Sequence, residues 1–351
     1  MPIDYLIIGQ GLAGSLLGWE LIRRGQRIML VDNGMENASR IAAGLINPVT
    51  GKRIVKTCQI DVLLPTALDY YAALERFFQQ KFYIDKPMLR LLRNDKERQT
   101  AEKRLAEPGY SDYLAGLIEA KTGLNSSHGL LQQAQTGYLL TQPLLMALRQ
   151  FFIEQGSYRH SVVDYREIRL EPEPSWQNWR PRRIIFCEGY RAIDNPWFSW
   201  LPFQPVKGEI LTGHSRIEPL ARILNYGHWF IPLAGRHFKI GATFDRDHLD
   251  TRVSAEARTA LLNSLRQVYP AQEQAQITHQ QAGVRPATQD RYPFIGQHPK
   301  HPALAIFNGF GAKGSLQIPY YCQHFADALL KQSPIPATCN IDRHYDPHFT
   351  A

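Results

Sequence analysis

Three glycines near the start of the chain have the spacing of a nucleotide-binding turn. Gly9, Gly11 and Gly14 form the pattern G-x-G-x-x-G. It lies between an apolar run at 3–8, which predicts a strand, and a segment at 12–24 whose leucines repeat with helical spacing. Such glycines allow the tight bend, the approach of a pyrophosphate to the backbone, and close packing of helix on strand. Because the amino end of a helix carries free N–H groups and about half a positive charge, the pattern predicts a phosphate site there.

An acidic residue in the next strand extends this pattern. Residues 27–32 predict a second strand, and Asp32 closes it. A carboxylate at that position can accept hydrogen bonds from both hydroxyl groups of an adenosine ribose. NAD and FAD are both bound in this way, so the fingerprint alone leaves the choice between them open.

Cysteine and histidine are not arranged as metal ligands. The four cysteines lie far apart and form no C-x-x-C pair: Cys58, Cys187, Cys322 and Cys339. His344 and His348 are helically spaced, but Pro347 between them and their terminal position favour a loose tail. We therefore predict no metal, and we expect reduced thiols in a cytoplasmic protein.

The composition indicates a large hydrophobic core and room for two domains. Of the 351 residues, 44% are hydrophobic, and no apolar run approaches the length of a membrane span. The formal charge of +8 is compatible with a polyanionic partner such as nucleic acid, or with an anionic cofactor or substrate. The basic residues are scattered rather than gathered into a run, which favours the second interpretation and leaves nucleic acid open.

The predicted elements change character along the chain. Helices are predicted at 66–83, 96–106, 141–155, 254–268 and 315–331, and strands at 184–189, 209–213, 229–233 and 238–244. This order predicts an α/β fold in which a Rossmann-like domain is discontinuous and an α+β domain with an antiparallel sheet is inserted. We expect the nucleotide-binding domain to comprise 1–62, 138–203 and 285–351, and the substrate domain to comprise 63–137 and 204–284.

Five further motifs point to a known family. They occur in the order SRIAAGLINP (39–48), PVKGEIL (205–211), FKIGATF (238–244), AGVRPATQDRYPFIG (282–296) and NGFGAKGSLQIP (308–319). Together with the fingerprint they resemble the D-amino-acid oxidase superfamily of FAD-dependent oxidoreductases. This superfamily includes glycine oxidase, sarcosine oxidase and the C-terminal oxidase domain of the bifunctional tRNA 5-methylaminomethyl-2-thiouridine enzyme. The resemblance spans nearly the whole chain, although residues 85–137 carry no recognisable motif, and it implies FAD as the cofactor.

The resemblance also implies which residues bind FAD. They are expected in the fingerprint, the following loop, two later strand ends and the start of the last helix: Gly9, Gly11, Leu12, Ala13, Gly14, Asp32, Asn33, Arg40, Ala42, Ala43, Gly44, Val163, Gly189, Gly311, Ala312, Lys313, Gly314, Ser315 and Leu316. In the family, the helix that begins after the last glycine-rich motif is aimed at the flavin pyrimidine ring. A helix start with Lys313 beside it would stabilise the negative charge of reduced flavin. The alternative is an ordinary helix start with a lysine in solvent.

Three residues are implied to act on the substrate side. The arginine of the G-x-R-P motif, Arg285, is expected to pair with a substrate carboxylate, since its parallel N–H donors match two oxygens. The alternative is a structural salt bridge to Asp290. Lys239 matches a lysine that assists oxygen in sarcosine oxidase, although an outward-facing strand lysine is equally compatible with the pattern. Together with Lys313, these two residues form the expected catalytic set.

Several positions depart from the family pattern. Trp229 stands where glycine oxidase has a tyrosine, which implies an aromatic wall and a bulkier or differently anchored substrate. Gly283 replaces the cysteine that binds flavin covalently in sarcosine oxidase, so non-covalent FAD is expected. Glu188 would be unfavourable near phosphate unless it turned away. The segment NPVTGKRIVKT (47–57) carries Lys52, Arg53 and Lys56, which either contact an anionic substrate or face water.

The resemblance implies oxidation of a carbon–nitrogen bond in a small amine or amino acid by hydride transfer to flavin N5. Glycine, a D-amino acid or an N-substituted glycine would be the substrate, and the electrons would pass to oxygen or a carrier. One alternative is a tRNA-modifying oxidoreductase acting on carboxymethylaminomethyl-uridine. Another is a non-catalytic FAD-binding protein.

Overall fold

Two large β-sheets carry the residues of interest. The computed structural model describes residues 1–35, 37–119 and 123–345. Within these residues the helices are α1 (Leu12–Arg23), α2 (Ala38–Ile41), α3 (Ile60–Phe78), α4 (Asp95–Ala106), α5 (Thr141–Glu154), α6 (Ala255–Val268) and α7 (Gly314–Lys331).

The strands are β1 (Pro2–Ile8), β2 (Ile28–Asp32), β3 (Leu45–Ile46), β4 (Val49–Thr50), β5 (Val55–Lys56), β6 (Tyr83–Asp85), β7 (Met88–Leu91), β8 (Leu114–Ile118), β9 (Leu130–Gln133), β10 (Gly137–Leu139), β11 (Tyr158–His160), β12 (Arg180–Phe186), β13 (Val206–His214), β14 (Ile223–Asn225), β15 (Trp229–Pro232), β16 (His237–Gly241), β17 (Gln276–Arg285), β18 (Phe294–Gln297) and β19 (Leu304–Asn308).

The first sheet is the nucleotide-binding sheet that the sequence predicts. Its six strands have the order β11-β2-β1-β12-β19-β18, and all neighbours are parallel except β18 and β19. Tyr5 and Ile7 face a core shared with helices, whereas Leu6 and Ile8 face a second core. Burial on both faces explains the continuous apolar run of β1. β2 and β12 lie on opposite sides of β1, so the strand order reverses at this point. Ligands are therefore expected at the carboxyl ends of these strands.

The second sheet has eight strands in the order β17-β13-β16-β15-β14-β7-β9-β8. Its neighbours are antiparallel except β14 and β7. Phe230, Phe238 and Ile240 pack on one face against Leu261 and Leu265 of α6. The opposite face of this sheet therefore lies toward the rest of the molecule.

A small three-stranded sheet has the order β3-β10-β6, and its strands alternate along the chain with strands of the two large sheets. Ile231 of the second sheet is buried with Met88 and Tyr138, and Ala43 and Leu45 pack against this cluster. The loop after β2 thus lies against the free face of the eight-stranded sheet. We propose that the domain division follows the two large sheets, with the boundaries expected from the sequence.

Most predicted elements are confirmed, although several have different bounds. The helix predicted at 66–83 is α3, which begins at Ile60 and ends at Phe78. The strand predicted at 238–244 ends at Gly241. In the part of the chain that the structure describes, no helix is long and apolar enough to cross a membrane.

Candidate active site

The turn after β1 can only be built with glycine. Gly9 has a φ of +105°, and a Cβ there would lie 2.5 Å from the carbonyl oxygen of Cys187. A Cβ on Gly14 would lie 2.0 Å from the carbonyl oxygen of Gly9. Gly11 is the N-cap of α1, whose first turn contains no acidic residue. The turn therefore presents a positive helix end without a carboxylate that would repel phosphate.

Leu12 and Ala13 form the first turn of α1, and a serine that the sequence analysis missed lies against them. The N–H of Leu12 donates a hydrogen bond of 3.0 Å to Oγ of Ser39 in α2. The Ser39 hydroxyl can itself donate to an anion. We therefore add Ser39 to the residues that could bind phosphate.

Asp32 lies at the carboxyl end of β2 with a side chain that is only partly satisfied. Its Oδ2 accepts from the N–H of Gln10 at 2.8 Å, and its Oδ1 accepts from the N–H of Gly34 at 2.9 Å. Arg149 of α5 also donates to Oδ1, at 3.3 Å. Because a carboxylate has about four acceptor positions, Asp32 can still accept from ribose hydroxyls.

The loop after β2 is held by local bonds. Oδ1 of Asn33 accepts from the N–H of Met35, and Nη1 of Arg40 donates to the carbonyl of Gly34 at 3.1 Å. Arg40 forms no ion pair with any carboxylate of the described residues. Its charge is available to a phosphate.

The segment from Ala42 to Gly44 turns the chain toward the small sheet. The carbonyl of Ala42 accepts from the hydroxyl of Thr141 at 3.1 Å. Gly44 has a φ of +68°, and a Cβ there would lie 2.0 Å from the carbonyl oxygen of Leu139. Ala43 lies between them and packs toward the eight-stranded sheet. The predicted flavin loop is thus fixed between the two large sheets.

Two further predicted positions lie at the carboxyl edge of the nucleotide-binding sheet. Val163 follows β11 and packs partly buried against the core on one face of that sheet. Gly189 follows β12, has a φ of +62°, and its carbonyl accepts from Nδ2 of Asn308 at 2.8 Å. Both lie at the edge of the sheet where a ligand is expected.

Glu188 turns away from the phosphate region. Its two oxygens accept from the Tyr165 hydroxyl at 2.7 Å and from Nδ2 of Asn195 at 2.9 Å. Burial raises the pKa of Glu188 to about 7, although both hydrogen bonds oppose the shift. Glu188, which departs from the family pattern, is therefore held by hydrogen bonds inside the protein.

The start of α7 is joined to the segment that follows Arg285. Gly311–Lys313 form a 3₁₀ turn, and the N–H of Gly311 donates to the carbonyl of Pro286 at 3.1 Å. Ala312 is exposed in this turn, whereas Lys313 is partly buried. This bond places the amino end of α7 next to the G-x-R-P segment.

A proline inside α7 leaves one backbone carbonyl without its helical donor, and a tyrosine hydroxyl donates to that carbonyl instead. Pro319 has no N–H, so the carbonyl of Ser315, one turn earlier, has no helical donor. The Tyr71 hydroxyl of α3 donates to that carbonyl at 2.6 Å, and both groups are buried. Leu316 is buried beside it. The first turn of α7 is thereby fixed against α3.

Arg285, Lys239 and Trp229 lie on one face of the eight-stranded sheet. In β17 and β13, Arg285 pairs with Val206, and Gly208 and Ile210 follow on the same face. Ile210 pairs with Gly241 of β16, which in turn pairs with Trp229 of β15. Since opposite residues share a face and alternate residues repeat it, the three side chains project to one side. That side is the one against which Ala43 packs.

Arg285 is partly buried and lacks a carboxylate partner among the described residues. Its Nη1 and Nη2 each lie 3.4 Å from the carbonyl oxygen of Thr243, which makes two long hydrogen bonds. Asp290 pairs instead with Arg343 at 2.8 Å. The alternative interpretation, a structural salt bridge between Arg285 and Asp290, is therefore wrong. Burial lowers the pKa of Arg285, because a guanidinium removed from water without a partner is disfavoured.

Lys239 faces the same side as Arg285 rather than the α6 side, where its neighbours Phe238 and Ile240 are buried. It has no hydrogen-bond or carboxylate partner within the described ranges. Burial lowers the pKa of its ammonium group. Trp229 lies close by, since a Cβ on Gly241 would be 2.9 Å from the indole ring. An aromatic wall and a second cation thus lie on the same face of the sheet as Arg285.

The described residues contain no candidate metal site. No group of three or more His, Cys, Asp or Glu side chains there is placed to hold a metal ion. His344 contacts Asp290 at 3.3 Å, and His348 lies outside the described residues.

These features define the class of protein. A glycine turn that excludes any Cβ, a helix end free of acids and a carboxylate at the end of the next strand fit a dinucleotide. An unpaired guanidinium lies on the facing sheet, next to the start of a second helix. The arrangement is that of a dinucleotide-dependent enzyme.

Comparison with known families identifies the chain further. Residues 4–328 match the family described as "DAO: FAD dependent oxidoreductase". The chain belongs to this family, and its cofactor is FAD.

Individual relatives are distant. The chain is 24% identical to the glycine oxidase of Geobacillus kaustophilus, over 90% of each chain. It is also 24% identical to the tRNA 5-methylaminomethyl-2-thiouridine biosynthesis bifunctional protein of Acinetobacter baylyi, over 98% of this chain but 55% of that relative. The chain therefore spans about half the length of that bifunctional relative. The crystal structure of glycine oxidase from Bacillus cereus has a TM-score of 0.82, at 21% identity, and covers 95% of this chain and 96% of that one. The likeness shows a common fold.

Proposed function

We propose that the protein oxidises the carbon–nitrogen bond of a small amino acid or N-substituted glycine. The observation that carries this proposal is Arg285, a partly buried guanidinium without a carboxylate partner in the described part of the chain. A buried charge of this kind is unfavourable until an anion meets it, and a carboxylate matches its parallel donors. A relative of similar length is named glycine oxidase, which supports an amino-acid substrate.

FAD, when bound, would supply the acceptor for the hydride that leaves the α-carbon, and the hydride carries both electrons of the oxidation. Arg285 holds the substrate carboxylate and so fixes which face of the α-carbon is presented. Trp229 supplies an apolar wall that excludes water. The neutral amine needs no protein base, since its own lone pair forms the C=N bond as the hydride leaves; water then hydrolyses the imine.

Two lysines support charge that develops during the cycle. Lys313, at the amino end of α7, would stabilise negative charge on the flavin pyrimidine ring, at which the family aims this helix. Lys239 lies on the Arg285 face and would stabilise reduced oxygen if oxygen is the electron acceptor. The remaining predicted residues, from the fingerprint, the loop after β2 and the start of α7, would hold FAD without a covalent bond. All four cysteines are free thiols, which supports a reducing compartment such as the cytoplasm.

The test is anaerobic mixing of the FAD-loaded protein with glycine, sarcosine, a panel of D-amino acids and proline. A substrate should bleach the visible absorbance of the flavin, and the product should be the corresponding keto acid or aldehyde. If no carboxylate-bearing amine bleaches the flavin, the proposal is wrong.

A second candidate is oxidation of a carboxymethylaminomethyl group on a tRNA uridine. The alignment with the tRNA-modifying bifunctional protein over 98% of this chain favours it. That group ends in a glycine-like moiety, which Arg285 could hold in the same way. Salt-sensitive binding of tRNA by the purified protein would support this candidate, and salt-independent or absent binding would remove it. A non-catalytic role is less well supported, since Arg285 is not held in an internal ion pair.

A further inference from the structure

Two buried charges lie on the face of the eight-stranded sheet opposite Arg285. Lys207 and Glu209 flank Gly208 in β13, and alternate residues of a strand point to opposite faces. The two side chains are only 6% and 4% exposed. Burying such charges costs desolvation that an apolar pair of similar size would avoid. Neither side chain projects to the substrate side of the sheet, so the proposed reaction alone does not account for them.

Both charges hold the segment 242–254, which joins β16 to α6. Nζ of Lys207 forms an ion pair of 2.6 Å with Asp250. The carboxylate of Glu209 accepts from the N–H of Ser254 at 3.0 Å and from its hydroxyl at 2.8 Å. Ser254 is the N-cap of α6. Glu209 therefore fixes the end of the segment, and Lys207 fixes a point shortly before it.

The start of the same segment is bonded to the backbone of β13. The N–H of Thr243 donates to the carbonyl of Glu209 at 3.2 Å, and the N–H of Glu209 donates to Oγ1 of Thr243 at 2.8 Å. Lys207 and Asp245 exchange two backbone hydrogen bonds, of 2.8 and 3.0 Å. The two residues that hold the later part of the segment through their side chains therefore hold its start through their backbone.

Thr243 connects this arrangement to Arg285. Its carbonyl oxygen accepts from Nη1 and Nη2 of Arg285, each at 3.4 Å, and no other acceptor bonds to that guanidinium within the described residues. Because both donors share one oxygen, the position of this oxygen sets how the guanidinium is turned. Both bonds are long and therefore weak, so a displaced Thr243 would leave the guanidinium without a fixed orientation.

We propose that Lys207 and Glu209 are positioning residues for Arg285. From the far face of the sheet they fix the segment 242–254, and this segment fixes the Thr243 carbonyl that orients the guanidinium. The inference rests on the proposed function, because it takes Arg285 to hold the carboxylate of the amine. A guanidinium that is oriented in advance loses less freedom when a carboxylate binds. The two buried charges therefore act on the affinity for the carboxylate and not on the rate of hydride transfer.

Asp250 allows the segment to be loosened from the surface, since its side chain is 49% exposed. The FAD-loaded protein is titrated anaerobically with glycine, sarcosine or whichever D-amino acid bleaches the wild type. In Asp250→Ala the apparent Kd of that amine should rise about fivefold, a size typical of effects carried through bonded networks. The bleaching rate at saturating amine should stay unchanged. Asp247→Ala is the matched control, because Asp247 is an exposed acid of the same segment and forms no ion pair among the described residues.

A double-mutant cycle shows whether the effect passes through Arg285. In an Arg285→Ala background, Asp250→Ala should leave the Kd unchanged, because no guanidinium remains to be misplaced. A general loss of stability would weaken binding equally in both backgrounds. Asp250→Glu keeps the charge and should retain most of the affinity. Lys207→Met removes the same ion pair from its buried end and should reproduce the loss seen in Asp250→Ala.

Two results would overturn the inference alone. Equal Kd values in Asp250→Ala, Asp247→Ala and the wild type would show that the ion pair does not set the affinity. An equal rise in Kd with and without Arg285 would show that the segment acts on binding by another route. Failure of the proposed function looks different, because no carboxylate-bearing amine would then bleach even the wild type. In that case the inference falls together with the proposed function.

Discussion

Gly208 lies directly against the guanidinium group of Arg285. A Cβ at position 208 would lie 2.1 Å from Nη2 of Arg285, closer than any real contact of this kind. The two residues are on adjacent strands, and Gly208 pairs with Gly283 two positions before Arg285. The arginine can therefore lie flat along the sheet only because position 208 has no side chain.

This relationship predicts that Gly208→Ala displaces Arg285 while the fold is kept. The apparent Kd for carboxylate substrates should rise about tenfold or more, and FAD binding should change little. Gly109→Ala is the matched control, since a Cβ there meets nothing closer than 3.9 Å. Unchanged substrate affinity in Gly208→Ala, measured by anaerobic flavin titration, would show that the position of Arg285 does not matter.

Lys239 should act on the oxidative half of the cycle. If oxygen is the acceptor, Lys239→Met should slow reoxidation of the reduced flavin by roughly tenfold or more, since a preorganised charge is lost. Lys239→Arg, which keeps the charge, should retain much of the rate. Stopped-flow mixing of the reduced protein with oxygen gives both rates. Equal rates in Lys239→Met and the wild type would assign the lysine no role toward oxygen.

The bond between Tyr71 and Ser315 should contribute to stability. Tyr71→Phe leaves the buried Ser315 carbonyl without a donor, so it should lower the free energy of unfolding by about 1–3 kcal/mol. Tyr226→Phe is a matched comparison, because the buried Tyr226 hydroxyl has no hydrogen-bond partner among the described residues. That change should be neutral or stabilising. Urea unfolding gives the free energy of unfolding of both variants. Equal losses in Tyr71→Phe and Tyr226→Phe would contradict a stabilising bond between Tyr71 and Ser315.

Glu188 should make stability depend on pH. Burial raises its pKa from an ordinary value of 4.5 to about 7, so the folded protein binds the proton more tightly than the unfolded chain. The resulting stability is fully present below about pH 4.5 and is lost as the pH rises through about 7. Glu188→Gln should therefore gain roughly 2–3 kcal/mol relative to the wild type between pH 5 and pH 8.

Glu167→Gln, at an exposed position nearby, provides the control. It should shift stability by the same small amount at both pH values. If Glu188→Gln also differs from the wild type equally at pH 5 and pH 8, the carboxyl group does not titrate in this range.

The sequence predicts those parts of the site that depend on local geometry. Gly9 and Gly14 are required by one tight turn, and the turn, its strand and its helix are adjacent in the chain. Arg285 is found through a motif of the same local kind. These features need no knowledge of how distant segments pack.

Contacts between distant segments were not predictable in this way. Ser39 meets Leu12 only because α2 folds back over the first turn of α1. Pro319 indicates that the Ser315 carbonyl needs a donor, but nothing in the sequence identifies Tyr71 as that donor. The helix predicted from residue 66 begins six residues earlier, at Ile60.

The most direct test of the account is anaerobic titration of the wild type and Arg285→Ala with amine substrates, followed by the visible absorbance of the flavin. In the wild type a carboxylate-bearing amine should bleach the flavin. Arg285→Ala should retain FAD and bind that amine more weakly by about 2–5 kcal/mol. Equal apparent affinity in the two proteins would contradict the claim that Arg285 holds the substrate.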